Sequence, residues 1–101
     1  ILERNGFSVL SADSGEQGVD MARDEQPDVI LMDIVMPGLN GFQATRQLSR
    51  GQETKHIPVI IVTAKNQQAD QVWGERQGAK AYLVKPIDER QLVSAITTVL
   101  N

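Results

Sequence analysis

Short apolar runs alternate with polar segments along the chain. The runs are Phe7–Leu10, Val29–Met32, Val59–Val62 and Tyr82–Val84. The second and third are continuously apolar, which is typical of strands covered on both faces, whereas strands of an antiparallel sheet with one wet face would alternate. Each run is followed by a segment with helical spacing, so the pattern is β-α repeated four times. It predicts an α/β fold with a parallel sheet and right-handed connections.

Four helices are predicted from their caps and from their apolar positions. The expected first residues or caps are Ser14, Asn40, Asn66 and Asp88, and the expected stops are Pro27, Gly51 and Gly78. The positions expected to face inward are Val19, Ala22, Phe42, Thr45, Leu48, Ala69, Val72, Leu92, Ile96, Val99 and Leu100. On the Asn66–Gln77 helix, the inward placement of Val72 turns Trp73 partly outward.

The first residues resemble the end of a helix. Ile1–Asn5 followed by Gly6 reads as a last helical turn with its glycine cap. A helix end requires a helix start and, in this architecture, a strand before it. From common element lengths we expect roughly 20 residues, one strand and most of one helix, to be missing. Residues 1–101 are therefore predicted to form one domain that is truncated at its N-terminus.

Composition narrows the class of protein. The 101 residues contain no cysteine, which excludes disulfide scaffolds, zinc–thiolate sites and cysteine catalysis and is compatible with a cytoplasmic location. Ten basic and 13 acidic residues give a net charge of −3, which argues against binding to nucleic acid. No apolar run approaches the ~20 residues that span a bilayer, so membrane insertion is not expected.

Candidate chemistry lies where the predicted strands end. Asp33 follows Val29–Met32, Thr63 follows Val59–Val62, and Lys85 follows Tyr82–Val84. In parallel α/β sheets ligands bind beyond the carboxyl ends of the strands, so a carboxylate, a hydroxyl and an ammonium are expected at one rim. The carboxylate could attack phosphorus to give an aspartyl phosphate, with the other two groups holding phosphoryl oxygens. Asp33 alone is a poor magnesium site, because Mg²⁺ requires more oxygen ligands.

These residues and their spacing resemble the response-regulator receiver domain. The segment from Asp33 to Gly38 reads Asp-Ile-Val-Met-Pro-Gly, Thr63-Ala64 follows 30 residues after Asp33, and Lys85-Pro86 follows 22 residues after Thr63. The resemblance implies a doubly wound, flavodoxin-like parallel sheet of order 2-1-3-4-5, here lacking strand 1 and most of helix 1. Family members catalyse their own phosphorylation and dephosphorylation but are not usually counted as enzymes.

The resemblance also implies a role for each site residue. Asp33 would be the phosphoacceptor for a partner histidine kinase, Thr63 the switch hydroxyl, Tyr82 the switch aromatic and Lys85 the phosphate-contacting cation. The Lys85–Pro86 bond is expected to be cis. Asp33 and the backbone carbonyl of Val35 would bind Mg²⁺, together with an acidic pair that precedes Ile1 in the family pattern. Magnesium is therefore expected only if that pair is present.

The missing first strand carries a further expectation. In the family it lies beside the strand predicted at Phe7–Leu10, which would then have no partner within this chain and two open edges. We therefore expect the chain either to resist phosphorylation or to be completed by a second chain, through dimerisation or strand exchange.

Two segments carry a narrower resemblance. They are similar to stand-alone regulators of type IV pilus twitching motility and span Leu31–Arg46 and Val72–Ala79. The output partner would bind the face formed by the Asn66–Gln77 helix and the Tyr82–Val84 strand.

One alternative is a receiver-like interaction module that has lost phosphorylation. The other is an aspartate phosphohydrolase, which is disfavoured because Val35 stands where such enzymes place a second aspartate.

Overall fold

The structure is a computed structural model that describes residues 8–11, 15–33, 41–64 and 68–100. Several residues named above lie outside these ranges, so their predicted roles stay predictions. They are Ile1–Asn5, Gly6, Phe7, Ser14, Ile34, Val35, Met36, Pro37, Gly38, Asn40 and Asn66.

The described residues form four strands and four helices in strict alternation. The strands are β1 (Val9–Ser11), β2 (Val29–Met32), β3 (Val59–Thr63) and β4 (Ala81–Val84). The helices are α1 (Gly15–Glu25), α2 (Gly41–Arg50), α3 (Gln68–Arg76) and α4 (Glu89–Leu100). The predicted β-α repeat is confirmed, and no helix within the described ranges has both the length and the apolar character needed to cross a membrane.

The four strands form one parallel sheet in the order β1-β2-β3-β4. Among the described residues, this order corresponds to strands 2-3-4-5 of the pattern that the sequence resemblance implies. The expectation that the first predicted strand has no partner is wrong, because Val9 pairs with Val29 and Leu10 with Ile30. Direct pairing satisfies backbone hydrogen-bonding groups that would otherwise be left unpaired, which is the physical reason for closing the sheet between β1 and β2.

The sheet has an apolar core on each side. Between the sheet and α1 and α2, the buried side chains include Leu10, Ile30, Met32 and Leu48. On the other side, Ile96 of α4 is fully buried against Val29 and Ile60. The residues of β2 alternate between the two clusters, because successive side chains of a strand point to opposite faces.

The helix α3 differs from its prediction. Ala69 is exposed and Val72 is 41% exposed, so neither faces inward; the one buried residue of α3 is Gly74. Residues two apart on a helix point about 200° apart, which turns Val72 to solvent when Gly74 faces the sheet. The prediction failed because it assigned the inward face to apolar side chains, and a glycine has none.

Local contacts fix the start of α4 and the end of α1. The Asp88 carboxylate accepts a hydrogen bond from the Gln91 backbone N–H (2.8 Å), and the Gln91 amide oxygen accepts one from the Asp88 N–H (3.2 Å). This reciprocal pair is a capping box and confirms Asp88 as the helix start. The helix α1 ends before Pro27, with Gln26 at a φ of 49°.

Candidate functional site

The structure brings Asp33 and Lys85 together at the carboxyl edge of the sheet. Asp33 directly follows β2, and Lys85 directly follows β4. The Lys85 Nζ donates a hydrogen bond to the Asp33 Oδ2 at 3.1 Å, which is also an ion pair. The Asp33 side chain is 29% exposed and that of Lys85 is 52% exposed, so solvent and small anions can reach both groups.

This contact spans the end of the strand between them. Because β3 separates β2 from β4, the two strands are about 10 Å apart at ordinary sheet spacing, and the long lysine side chain crosses the end of β3. The Lys85 backbone N–H donates to the Thr63 carbonyl at 2.7 Å, which extends the ladder between β3 and β4 by one residue. The Lys85–Pro86 peptide bond is cis. These backbone contacts place the start of the lysine side chain at the rim.

Thr63 is the last residue of β3 and lies under this crossing. It is fully buried, whereas both partners of the ion pair are partly exposed. Its position between the two charged residues follows from the strand order, which places β3 between β2 and β4. The three strand-end residues predicted from sequence therefore share one rim.

Tyr82 lies one layer below the rim, on β4 opposite Ile61 of β3. It is partly buried and packs against a small cluster formed by Ile61 and Ala79. Burial raises the pKa of the Tyr82 phenol above its ordinary value of 10.0, and the negative charges of Asp70 and Asp33 raise it further. The pKa of the phenol therefore depends on the charge of the Asp33 carboxylate.

Two residues at this site were missed from sequence. Asp70 and Gly74 lie four residues apart on α3, a spacing that places both on the helix side that faces β4. Asp70 is partly buried and acts electrostatically on Tyr82, and Gly74 lies against the tyrosine ring. Their i, i+4 spacing indicates that the two residues share one side of the helix. The sequence analysis missed it because it assigned the inward side of α3 from apolar residues alone.

The described residues do not form a magnesium site by themselves. Within residues 8–11, 15–33, 41–64 and 68–100, no group of three or more His, Cys, Asp or Glu could hold a metal ion. Asp33 supplies one carboxylate, and Lys85 already binds it. Magnesium prefers near-octahedral oxygen coordination, so this donor set does not fit the ion without further ligands.

Residues 1–97 match the family described as the response regulator receiver domain. The chain belongs to this family. It is 62% identical over 100 residues to the protein PilH of Pseudomonas aeruginosa, covering 99% of this chain and 83% of that protein. The resemblance found in the sequence is thereby confirmed at the level of the family.

Solved structures agree on the fold. A response regulator from Chloroflexus aurantiacus superimposes with a TM-score of 0.87 at 28% identity, covering 98% of this chain and 81% of that one. The receiver domain of a sensor histidine kinase from Pseudomonas aeruginosa gives 0.84 at 30% identity, covering 98% of this chain and 81% of that one. That domain was solved with a magnesium ion coordinated in its active-site cleft. The fold is thus the flavodoxin-like receiver fold.

Proposed function

We propose that this chain is a phosphorylation-controlled switch that accepts a phosphoryl group on Asp33 from a histidine kinase in the cytoplasm. The observation that carries the proposal is the Asp33–Lys85 contact of 3.1 Å at the carboxyl edge of the sheet. It supports the proposal because a carboxylate that could attack phosphorus lies beside an ammonium of the kind that stabilises phosphoryl oxygens. Membership of the receiver family supports the same assignment.

The transfer itself exchanges one bond to phosphorus for another. A carboxylate oxygen of Asp33 attacks the phosphorus of a phosphohistidine, the bond from phosphorus to the imidazole nitrogen breaks, and that nitrogen keeps the electron pair and takes up a proton from solvent. The product is an aspartyl phosphate. Lys85 then turns from the carboxylate to a phosphoryl oxygen, because an ammonium on a flexible stem redirects its three donors easily.

Two further residues would respond to the new charge at the rim. We propose that the Thr63 hydroxyl hydrogen-bonds to a phosphoryl oxygen, since Thr63 ends the strand between Asp33 and Lys85. We also propose that Tyr82 changes its position, since its phenol already senses Asp33. A shift of either side chain changes the relative populations of the conformations that the α3 and β4 surface adopts.

Magnesium enters this proposal conditionally. When bound at such a site, the ion would neutralise charge on the transferring phosphoryl group. Of the family ligand set, Asp33 is the member that the structure describes, and Val35 lies outside the described residues. A magnesium requirement therefore depends on carboxylates other than those described here.

The proposed output surface is formed by α3 and β4. Its large exposed apolar side chains are Val72 (41%), Trp73 (49%) and Val84 (38%). Exposed apolar side chains of this size on neighbouring elements favour a protein-binding face. The similarity to PilH leads us to propose that the partner acts in the control of type IV pilus twitching motility.

The intact mass of the chain, measured before and after incubation with acetyl phosphate and Mg²⁺, tests the phosphoacceptor. We expect a gain of one phosphoryl group that Asp33→Asn abolishes and that Lys85→Met slows. Asp24→Asn on α1 and Lys80→Met before β4 change exposed residues of the same types away from the rim and are expected to gain mass as wild type does. A phosphoryl group that persists in Asp33→Asn would contradict the assignment.

One observation favours a second candidate, a receiver-fold interaction module that is not phosphorylated. Among the residues that the structure describes, Asp33 is joined by no cluster of acidic ligands. This candidate predicts no mass gain in wild type with acetyl phosphate and Mg²⁺, while the α3 and β4 surface still binds its partner. The wild-type mass measurement separates the two candidates.

A further inference from the structure

The helix α3 packs closely against the sheet at Gly74, its one buried residue. An ideal Cβ placed on Gly74 would lie 2.7 Å from the Ile61 Cδ1. It would also lie 3.3 Å from the Tyr82 Cδ2 and 3.5 Å from the Tyr82 Cε2. The first distance is shorter than real side chains tolerate and the second is tight, so a side chain at this position must displace a neighbour.

The glycine is not explained by its backbone. It lies inside a regular helix, where glycine is less favourable than alanine because it loses more conformational freedom on folding. No turn or left-handed conformation requires it there. What the glycine does provide is space for the side chains of Ile61 and Tyr82 between α3 and the sheet.

We infer that Gly74 is a positioning residue, which holds the Tyr82 ring in its partly buried place beside the phosphoacceptor site by leaving room for it under α3. The inference rests on the proposed function only in giving Tyr82 a role as the aromatic that moves on phosphorylation. The placement of the ring in the unmodified protein can be tested without any phosphodonor.

The burial of the two neighbours decides which of them yields to an added methyl group. An added Cβ meets the end of the Ile61 side chain first, and because Ile61 is fully buried and packs against Tyr82 on the neighbouring strand, its displaced Cδ1 presses on the tyrosine ring. Tyr82 is only partly buried, and its ring can turn toward solvent. Gly74→Ala is therefore expected to expose the ring, and a smaller residue at position 61 is expected to restore it.

Fluorine NMR on protein labelled with fluorotyrosine measures the ring directly, because the chain has one tyrosine. The change of chemical shift between H₂O and D₂O reports how exposed the ring is. We expect this change to move toward the unfolded-state value in Gly74→Ala. We expect it to return toward the wild-type value in Gly74→Ala combined with Ile61→Val, which removes the Cδ1 atom but leaves the tight contact with the Tyr82 Cδ2. Gln71→Ala, an exposed position on α3, is the matched control and is expected to leave the signal unchanged.

Each outcome bears on the inference. A wild-type signal in folded Gly74→Ala overturns it, as does an exposed ring in the double variant. If Gly74→Ala does not fold by circular dichroism, the double variant decides: a native ring signal supports the inference, and failure to fold overturns it. If the ring moves as expected but Asp33 accepts no phosphoryl group in the mass measurement, the inference stands and the proposed function fails.

Discussion

At the scale of single residues, the charge on one carboxylate reaches two different partners. Asp33 forms an ion pair with Lys85 at 3.1 Å and also raises the pKa of Tyr82. The ion pair is partly exposed, so it contributes little to stability, on the order of 1 kcal/mol or less. The pair keeps a cation beside the carboxylate that we propose as the phosphoacceptor, and the phenol gives a spectroscopic measure of the charge at position 33.

The titration of Tyr82 is the first prediction at this scale. The phenolate absorbance of the single tyrosine should titrate with a pKa above 10.0, because burial and the charges of Asp70 and Asp33 disfavour the phenolate. Asp33→Asn and Asp70→Asn should each lower that pKa, but not to 10.0, since burial is the largest cause and remains. Asp24→Asn on α1 should leave it unchanged. A wild-type pKa at or below 10.0 would refute the electrostatic account.

The same shift makes stability depend on pH. The native pKa is raised, so the unfolded chain releases the phenol proton first as the pH rises past its ordinary value of 10.0. The contribution of Tyr82 to the free energy of unfolding is therefore fully present below pH 10.0 and is lost as the pH rises through the native pKa. Urea unfolding on either side of this range, compared with Tyr82→Phe, should show the loss in wild type alone.

At the scale of elements, helix ends depend on residues that tolerate unusual backbone conformations. Gly78 follows α3 with a φ of 108°, and it confirms the predicted stop. Gln26 follows α1 with a φ of 49°, and its side-chain amide donates a hydrogen bond to the Glu53 carbonyl at 2.8 Å. At the end of α3, glycine adopts the positive φ easily because it has no side chain. At the end of α1, the Gln26 side chain also binds the loop before β3.

Gly78→Ala is the prediction at this scale. An added Cβ would overlap the Ser49 side chain of α2, and the positive φ disfavours any L residue, so we expect the free energy of unfolding to fall by at least about 1 kcal/mol. Combining it with Ser49→Gly removes the overlap but not the backbone strain. Urea unfolding of the four proteins should show the double variant less destabilised than the sum of the single variants. Simple additivity would mean that the overlap with Ser49 does not contribute.

At the scale of the whole molecule, one parallel sheet joins cores on both of its faces. Leu48 of α2 is fully buried on one side, and Ile96 of α4 is fully buried on the other. The same strands contribute side chains to both cores, since their residues alternate between the faces. A domain of this size with shared strands is expected to unfold as one cooperative unit.

Core truncation on each face tests this cooperativity. Leu48→Ala and Ile96→Ala should each lower the free energy of unfolding by about 2–5 kcal/mol, because each leaves a cavity. Thr97→Ala, at an exposed neighbouring position of α4, should change it by less than about 0.5 kcal/mol. Circular dichroism and the fluorescence of Trp73 should report one coincident transition in urea. A separate early transition in Ile96→Ala would show that α4 unfolds independently of the sheet.

The sequence by itself determined the alternation of strands and helices, the parallel sheet and the rim residues Asp33, Thr63 and Lys85. These follow from local information: apolar runs, caps and the position of a residue at the end of a strand. The family resemblance added the roles of those residues. The motif spacing also located Tyr82, three residues before Lys85, but not what surrounds its ring.

The tertiary structure alone decided the pairing of β1 with β2, the 3.1 Å contact across β3, and the orientation of α3. Each depends on residues far apart in sequence meeting in space. Every strand edge needs hydrogen-bond partners, so the sequence does not say which two strands pair. A lysine side chain is long enough to contact several neighbouring residues, so its partner also depends on the tertiary structure. The facing side of α3 was set by the space available to Ile61 and Tyr82, which a glycine supplies. A pattern of apolar side chains does not predict this contact, because the residue of α3 that makes it has no side chain.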